Sequence, residues 1–249
     1  MTKSEQFRRM FKDGMSIAQI AKATNSNYSF VYTVIKQLSD VETDDYEKLH
    51  ERIGRLQVSH LSDAMGRAGV LDQLHPVNPA SRLIARAFTV RAMPADNLTL
   101  HWAITQAQPG EVIVVDAGGL VSVALWGELM SLAAQAKGIA GLVIDGAIRD
   151  QETLAAMDFP VYAKGSTPRG PVKASLGEIN VPIQCAGVVV RPGDLIVGDT
   201  DGVAVIAQER LDAILTAAEA IAAKEEMLKE KIAKGERLFD LLNLGTLVK

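Results

Sequence analysis

The chain has 249 residues, of which 48% are hydrophobic and 22% are charged, a composition typical of a globular protein long enough to bury a substantial core. The formal net charge of -4 excludes a global basic field for nucleic acid, so any nucleic-acid contact must be local. The single cysteine, Cys185, excludes an internal disulfide framework. The sequence shows no secretory signal pattern and no apolar run near the roughly 20 residues that cross a bilayer, so we expect a cytoplasmic protein without a membrane segment.

Residues 1–40 predict a small all-α module. Helical periodicity runs from about Ser4 to Lys12, breaks at Gly14 and resumes after Ser16. A third helix is expected to follow, with its apolar stripe at Val31, Val34, Ile35 and Leu38. This layout resembles a helix-turn-helix, and the six basic and two acidic residues of positions 1–38 give a local charge of +4 that suits phosphate contact. A helical cap that packs on the main domain or on another subunit is an equally good interpretation.

The rest of the chain predicts an α/β domain over residues 56–249, after a linker or helix start at residues 41–55. Strands are predicted at residues 85–91, 112–116, 140–145, 161–163, 187–190, 195–199 and 202–206. Helices are predicted at residues 59–67, 99–106, 125–137, 151–157 and 209–242. The runs VIVVD and GLVID are apolar without alternation, which indicates strands buried on both faces. The long last helix is a candidate for contact with a neighbouring subunit.

The start of the helix predicted at residues 125–137 is a candidate anion site. The first backbone N–H groups of a helix have no intrahelical partner and can receive a carboxylate. With Gly127 at the point where a loop becomes a helix, these groups lie near Gly127, Glu128, Leu129 and Met130.

Arg149 and Asp150, at the end of the stretch GLVIDGAIRD, are the candidates for chemistry. A turn at Asp145-Gly146 is expected to lead the chain to them. An arginine can hold a carbonyl or enolate oxygen. If the aspartate ligates a divalent cation, that cation is a second electrophile that faces the same oxyanion. Oxygen ligands with water favour Mg²⁺ or Mn²⁺ over zinc. For an isolated dipeptide, a surface ion pair worth about 0 to 1 kcal/mol is the simpler interpretation.

Five segments of residues 56–240 carry a family resemblance: SDAMGRAGV, GEVIVVDAGG, GELMSLAAQAKGIAGLVIDGAIRD, FPVYAKGSTPRGP and VVVRPGDLIVGDTDGVAVI. In these segments the domain resembles the class II 4-hydroxy-4-methyl-2-oxoglutarate / 4-carboxy-4-hydroxy-2-oxoadipate aldolases, a family that also includes the regulator of ribonuclease E activity A. The resemblance implies a swivelling-domain-type α/β sandwich, assembled as a trimer or hexamer with sites at subunit contacts. The helical segment at residues 1–40 is an addition to that pattern.

The resemblance also implies roles for the candidate residues. The amides of residues 127–130 would bind the carboxylate of the pyruvyl group, Arg149 would contact the oxo group of the substrate, and Asp150 would ligate the divalent cation. Glu128 would hold a metal-bound water. An acidic residue from the C-terminal helix of a neighbouring chain would complete the site, and Glu225 and Glu226 lie in the matching region.

The activity that the resemblance implies is metal-dependent retro-aldol cleavage. A 4-hydroxy-2-oxo acid would chelate the cation through its carboxylate and 2-oxo oxygens, its 4-hydroxyl would lose a proton, and the C3–C4 bond would break to release pyruvate enolate. Oxaloacetate carries a carboxylate in place of the alcohol, so the same electron sink would permit its decarboxylation.

Other functions remain as alternatives. A Schiff-base aldolase would need a reactive lysine, but Lys137 closes a helix, where cations are favoured anyway, and Lys164 is predicted in a Gly-Ser loop. The four histidines lack a spacing typical of a zinc site. A non-catalytic binding protein on the same scaffold, which regulates a ribonuclease or contacts DNA through residues 1–40, is the alternative from a different functional class.

Overall fold

The computed structural model describes residues 3–12, 17–24, 26, 48–79 and 82–248. The chain divides into two compact units, Met1–Arg55 and Leu56–Lys249. Helices of the first unit are α1 (Lys3–Lys12), α2 (Ile17–Ala23) and α3, described over residues 48–54. The predicted third helix of the helix-turn-helix, at residues 31–38, and the acidic segment at residues 40–47 lie outside the described residues.

A mixed sheet of eight strands, counted over the described residues, forms the centre of the second unit. Its middle strands are β2 (Leu83–Arg91), β3 (Glu111–Trp126), β4 (Gly141–Ile148) and β5 (Val161–Ser166). These four strands pair in parallel in the order β5-β4-β3-β2. Because parallel strands require crossover connections, helices connect them in the chain.

Short antiparallel strands extend this parallel centre. They are β1 (His75–Pro76), β6 (Glu178–Ile179), β9 (Leu195–Asp199) and β10 (Gly202–Ile206). β1 pairs with β5 at one edge, while β9 pairs with β2 and β10 with β9 at the other, and β6 adds to the end of β2. A separate hairpin consists of β7 (Ile183–Cys185) and β8 (Val188–Val190).

The helices of the second unit are α4 (Val58–Ala64), α5 (Leu98–Gln106), α6 (Glu128–Ala136), α7 (Gln151–Ala156), α8 (Leu211–Ala233) and α9 (Leu238–Leu241). The predicted helix at residues 209–242 is therefore interrupted. Gly235 adopts a φ of 91°, a left-handed conformation that glycine reaches without strain and that commonly follows a helix end. No described helix is both long enough and apolar enough to span a membrane.

Alternate side chains of the central strands enter two separate cores. Ile113 and Val115 of β3 pack in one core together with Met130 of α6, while Val112 and Val114 of the same strand belong to the other. Because successive side chains of a strand point to opposite faces, the sheet separates two apolar layers. All eight residues of β4 are buried, which confirms an α/β fold whose central strands are covered on both faces.

The predicted turn at Asp145-Gly146 is wrong, because β4 continues through both residues to Ile148. A Cβ on Gly146 would lie only 2.8 Å from the Cβ of Ala117 in β3. The glycine thus permits a close approach of β3 and β4 in the region where the register of their pairing shifts. The longer strand still delivers Arg149 and Asp150 directly after its carboxyl end.

The two-layer core predicts a large effect of truncating a central side chain. Ile144 in β4 is fully buried, so Ile144→Ala should lower the free energy of unfolding by about 2–5 kcal/mol, measured by urea unfolding followed by circular dichroism. Val189→Ala, at a side chain that is 54% exposed, is the control and should change stability by about 0.5 kcal/mol or less. Equal losses in the two variants would contradict the two-layer core.

Candidate active site

The start of α6 is fixed by side-chain hydrogen bonds around Gly127. The Trp126 indole N–H donates to Oγ of Ser131 at 2.7 Å, and the Ser131 hydroxyl donates to the Gly127 carbonyl at 3.2 Å. Leu125 and Trp126 belong to β3, so the approximate helix bound at residue 125 is wrong by three residues, whereas the helix start predicted at Gly127 is confirmed, because Gly127 directly precedes the first helical residue, Glu128. The fully buried indole therefore joins the end of the strand to the first turn of the helix.

Gly127 is the point where the end of β4 meets the start of α6. The Glu128 N–H donates to Oδ2 of Asp150 at 3.1 Å. A Cβ on Gly127 would lie 2.6 Å from that oxygen and 3.0 Å from Cγ of Arg149. The φ of Gly127 is -165°, an extended conformation open to any residue, so space rather than backbone conformation demands glycine here.

Arg149 and Asp150 form a loose, partly exposed pair. The Arg149 N–H donates to the Trp126 carbonyl at 2.9 Å, and Asp150 adopts a left-handed conformation with φ 57° and ψ 38°, which is uncommon outside glycine and recurs at functional sites. Nε of Arg149 lies 3.6 Å from Oδ2 of Asp150, and the side chains are 46% and 39% exposed. Because the contact is long and both side chains are partly exposed, N–H donors of the Arg149 guanidinium remain available to a ligand.

A cavity of about 220 Å³ opens next to this junction. It is lined by the end of β3, the start of α6, one residue of α5, the residue before α5, Arg149, and residues 170, 171 and 173. A Cβ on Gly170 would lie 3.1 Å from Nη1 of Arg149, so this segment closes over the guanidinium. Asp150 does not line the cavity, but its carboxylate lies at the edge through its contacts with Glu128 and Arg149.

Three backbone amides around the start of α6 are available to a ligand in this cavity. The N–H of Glu128 is already bonded to Asp150. Across the described parts of the chain, the N–H groups of Gly127, Leu129 and Met130 have no acceptor, and all three residues line the cavity. Of the four amides predicted as an anion site at residues 127–130, that of Glu128 is thus engaged by Asp150 and the other three remain as possible donors.

The structure adds three polar residues that the sequence did not indicate as site residues: Asn97, His101 and Lys173 line the same cavity. Asn97 is 4% exposed, and its side-chain N–H donates to the Leu125 carbonyl at 3.0 Å. This bond assigns the amide orientation, and it leaves Oδ1 buried without a partner among the described residues. The sequence feature that could have indicated two of them is the four-residue spacing of Asn97 and His101, because residues four apart lie on the same face of a helix.

Glu225 lies on α8 and is held by His60 of α4. The Gln57 N–H donates to Nδ1 of His60 at 3.0 Å, so Nε2 carries the proton and donates to Oε2 of Glu225 at 3.0 Å. Glu226 instead pairs with Lys229. Within the described residues, no group of three or more His, Cys, Asp or Glu side chains is arranged to hold a metal ion.

Lys164 lies in β5 rather than in the predicted loop. Its Nζ is 3.0 Å from Oδ1 of Asp145, and Oδ2 of Asp145 accepts the Ala186 N–H at 3.0 Å. The amine is thus engaged in a largely buried ion pair inside the sheet. It does not line the cavity beside Arg149, where a Schiff base with the same substrate would have to form.

Residues 58–205 match a family model described as RraA-like, Aldolase/RraA. The chain belongs to this family. A similar protein of Halalkalibacterium halodurans, named "Putative 4-hydroxy-4-methyl-2-oxoglutarate aldolase", is 40% identical over 174 residues, which cover 70% of this chain and 83% of that protein.

Solved structures of similar proteins share the fold of this RraA-like chain. An uncharacterized protein of Pseudomonas syringae matches with a TM-score of 0.71 at 30% identity, over 78% of this chain and 92% of that one. The RNA-processing inhibitor RraA from Thermus thermophilis matches with a TM-score of 0.55 at 30% identity, over 60% of this chain and 92% of that one. Relatives of this chain thus carry the names of an aldolase and of an RNA-processing inhibitor.

The space at Gly127 yields a structural prediction. In Gly127→Ala, the new methyl group must move the Asp150 carboxylate by about 0.8 Å, because 2.6 Å has to become at least 3.4 Å. A crystal structure of the variant should therefore show the bond from the Glu128 N–H to Asp150 lengthened or lost. Gly165→Ala is the matched control, since its Cβ would meet only Val121 side-chain atoms at 3.6 and 3.8 Å. An unmoved Asp150 in Gly127→Ala would contradict the described junction.

Proposed function

We propose that this RraA-like protein is a divalent-metal-dependent aldolase that cleaves a 4-hydroxy-2-oxo acid and releases pyruvate. The observation that supports this proposal best is the junction at Gly127. It brings the guanidinium of Arg149, the carboxylate of Asp150 and the unpaired amides of α6 to one cavity and its edge. A cation, a guanidinium and backbone N–H donors form a set that can stabilise an enolate.

The substrates that we propose are 4-hydroxy-4-methyl-2-oxoglutarate and 4-carboxy-4-hydroxy-2-oxoadipate. The name of the Halalkalibacterium halodurans relative supports the first of them. The cavity of about 220 Å³ is small for a ligand pocket, in keeping with a small organic acid rather than a nucleotide cofactor.

A hard divalent cation such as Mg²⁺ or Mn²⁺ fits the residues present. Mg²⁺ is commonly bound through one or two carboxylates, with water and substrate oxygens in the remaining positions. Asp150, which is 39% exposed, offers such a carboxylate. When bound, the cation would supply Lewis-acid stabilisation of the 2-oxo oxygen.

The side chains and amides of this chain then have distinct tasks. The Leu129 and Met130 amides bind the carboxylate of the pyruvyl group. When the 4-hydroxyl passes its proton to the water that we propose Glu128 to hold, its electrons form the new carbonyl, the C3–C4 bond breaks, and the electron pair moves to the enolate of pyruvate. Arg149 stabilises the negative enolate oxygen, and return of the proton from that water to C3 completes the formation of pyruvate.

Glu128 and Glu225 are proposed to support this reaction. Glu128, the first residue of α6, is half-buried and is our candidate for holding a water at the site. Within the described residues of one chain, no three His, Cys, Asp or Glu side chains are grouped to hold a metal ion. We therefore propose that Glu225 of a neighbouring copy completes the site in a homotrimer or homohexamer. Oxaloacetate should be decarboxylated at the same site, since breaking its C3–C4 bond releases CO₂ and leaves the bonding electrons on the same pyruvate enolate.

Substitution of the two central residues tests the proposal. Arg149→Ala and Asp150→Ala should each lower the rate of pyruvate release by at least about 100-fold, because each removes stabilisation of developing negative charge. A coupled assay that follows pyruvate, with Mg²⁺ or Mn²⁺ and with or without a chelator, measures the effect. Arg237→Ala, in an exposed pair with Asp240, is the control for loss of an arginine.

Full turnover by a well-folded Arg149→Ala or Asp150→Ala variant would refute the assignment. Undiminished pyruvate release after chelation would refute the metal dependence alone. Circular dichroism of each variant separates loss of chemistry from loss of the fold.

A second candidate function is nucleic-acid contact through residues 1–40. It is supported by the local charge of +4 over residues 1–38 and by the exposed side chains of Arg9 on α1 and Lys22 on α2. We also propose regulation of a ribonuclease as a role of this non-catalytic class, in view of the name of the Thermus relative.

Nucleic-acid contact predicts salt-dependent binding of the full chain to a DNA duplex, measured by fluorescence anisotropy. The double variant Arg9→Ala/Lys22→Ala should bind more weakly. Its affinity should also depend less steeply on salt concentration, because a protein with fewer cations releases fewer counterions from the DNA on binding. Lys229→Ala, which removes an exposed lysine of α8, should bind like the unaltered chain. Absence of binding at low salt would contradict this second function.

A further inference from the structure

A second cavity of about 220 Å³ lies at the edge of the sheet where β1 pairs with β5. Residues of these two strands line it, together with Val77, Ile148 at the end of β4 and Gln151 at the start of α7. Among the described residues, it shares no lining residue with the cavity beside Gly127. A ligand bound here would therefore be distinct from the proposed substrate.

Three polar side chains of this second cavity have unused hydrogen-bonding groups. They belong to His75, Gln151 and Ser166, which are all exposed. Within the part of the chain that the structure describes, none of the three side chains has a hydrogen-bond or ion-pair partner. The imidazole, the amide and the hydroxyl can each donate a hydrogen bond. A ligand that accepts several hydrogen bonds at once would satisfy all three.

Lys164 of β5 also lines the second cavity and brings a positive charge to it. Its ammonium group has three N–H donors, and Oδ1 of Asp145, at 3.0 Å from Nζ, can accept one of them. Two N–H donors therefore remain, and the side chain of Lys164 is 26% exposed. The described lining residues include no aspartate or glutamate.

The carboxylate of Asp145 does not cancel this charge at the cavity. Asp145 is 7% exposed and is not a lining residue, and its Oδ2 accepts the Ala186 N–H at 3.0 Å in the turn between β7 and β8. Asp150 and Glu152, the sequence neighbours of Gln151, do not line the cavity either. The cavity thus faces the positive member of an oriented ion pair, which attracts an anion and repels a cation.

We propose that the second cavity binds a small oxyanion, a carboxylate or a phosphate group, through the ammonium of Lys164 and the three side chains without partners. An oxyanion carries several lone pairs on one compact charged group, so it can accept hydrogen bonds from all four side chains together. The cavity volume is small for a larger ligand such as a nucleotide. Because Ile148 and Gln151 flank Arg149 and Asp150, the bound anion would contact the segment that carries this pair.

An NMR titration of the full chain, labelled with ¹⁵N and deuterium, tests the proposal with sodium phosphate and sodium acetate as separate probes. The amide signals of Gln151, Gly165 and Ser166 should shift and saturate, with half-saturation at about 10 mM or below. Saturation by phosphate alone identifies a phosphate site, saturation by acetate alone a carboxylate site, and saturation by both a general oxyanion site. Sodium chloride at the same ionic strength is the control and should leave these signals in place.

Two variants test the contacts that we assign. Ser166→Ala should weaken binding of the saturating probe at least about fivefold, because it removes a hydrogen bond to a charged group. Ser59→Ala, which removes an exposed hydroxyl of α4 that does not line the cavity, is the matched control and should bind like the unaltered protein. The double variant Lys164→Met/Asp145→Asn removes both charges without leaving a buried carboxylate unpaired, and it should lose saturable binding.

The inference is overturned if neither probe gives saturable shifts at Gln151, Gly165 and Ser166. It is also overturned if Ser166→Ala binds as tightly as the unaltered protein, a result that decides the question even if circular dichroism shows that the double variant does not fold. No part of this test measures pyruvate, so the proposed function stands or falls separately.

Discussion

The absence of a side chain at Gly127 is the constraint on which the candidate site depends. The end of β4 and the start of α6 approach so closely there that a Cβ would lie 2.6 Å from the Asp150 carboxylate. That approach lets Asp150 accept the first amide of the helix and brings Arg149 to the cavity that Leu129 and Met130 also line. A larger residue at position 127 would separate groups that have to act on one substrate.

The rest of the fold supplies the rigidity that this junction needs. β3 and β4 lie in the middle of the sheet between two apolar layers, so the strand ends that carry Trp126 and Arg149 have little freedom to move. The indole N–H of Trp126 donates to the Ser131 hydroxyl and so connects the end of β3 to the first turn of α6. On the other side of the cavity, Asp96 performs a similar task by fixing the segment around Lys173.

Much of this arrangement could be predicted from sequence, because it depends on local patterns. Unbroken apolar runs indicated the buried strands, and the β9–β10 hairpin has the predicted bounds. The turn at Asp145-Gly146 was predicted wrongly, since a glycine in a strand gives the same local signal as a glycine in a turn; only its contact with Ala117 distinguishes the two. Lys173 and Asn97 could not be predicted as site residues because they are 76 residues apart in sequence, and their segments meet through tertiary hydrogen bonds such as that from the Asn97 N–H to the Val172 carbonyl.

The most direct test of the account is a crystal structure of the protein grown with Mn²⁺ and pyruvate, with the metal located by anomalous scattering. A manganese peak is expected at the carboxylate of Asp150, with the pyruvate carboxylate on the Leu129 and Met130 amides and the oxo group facing Arg149. Manganese bound away from Asp150, or pyruvate outside the cavity beside Gly127, would contradict it.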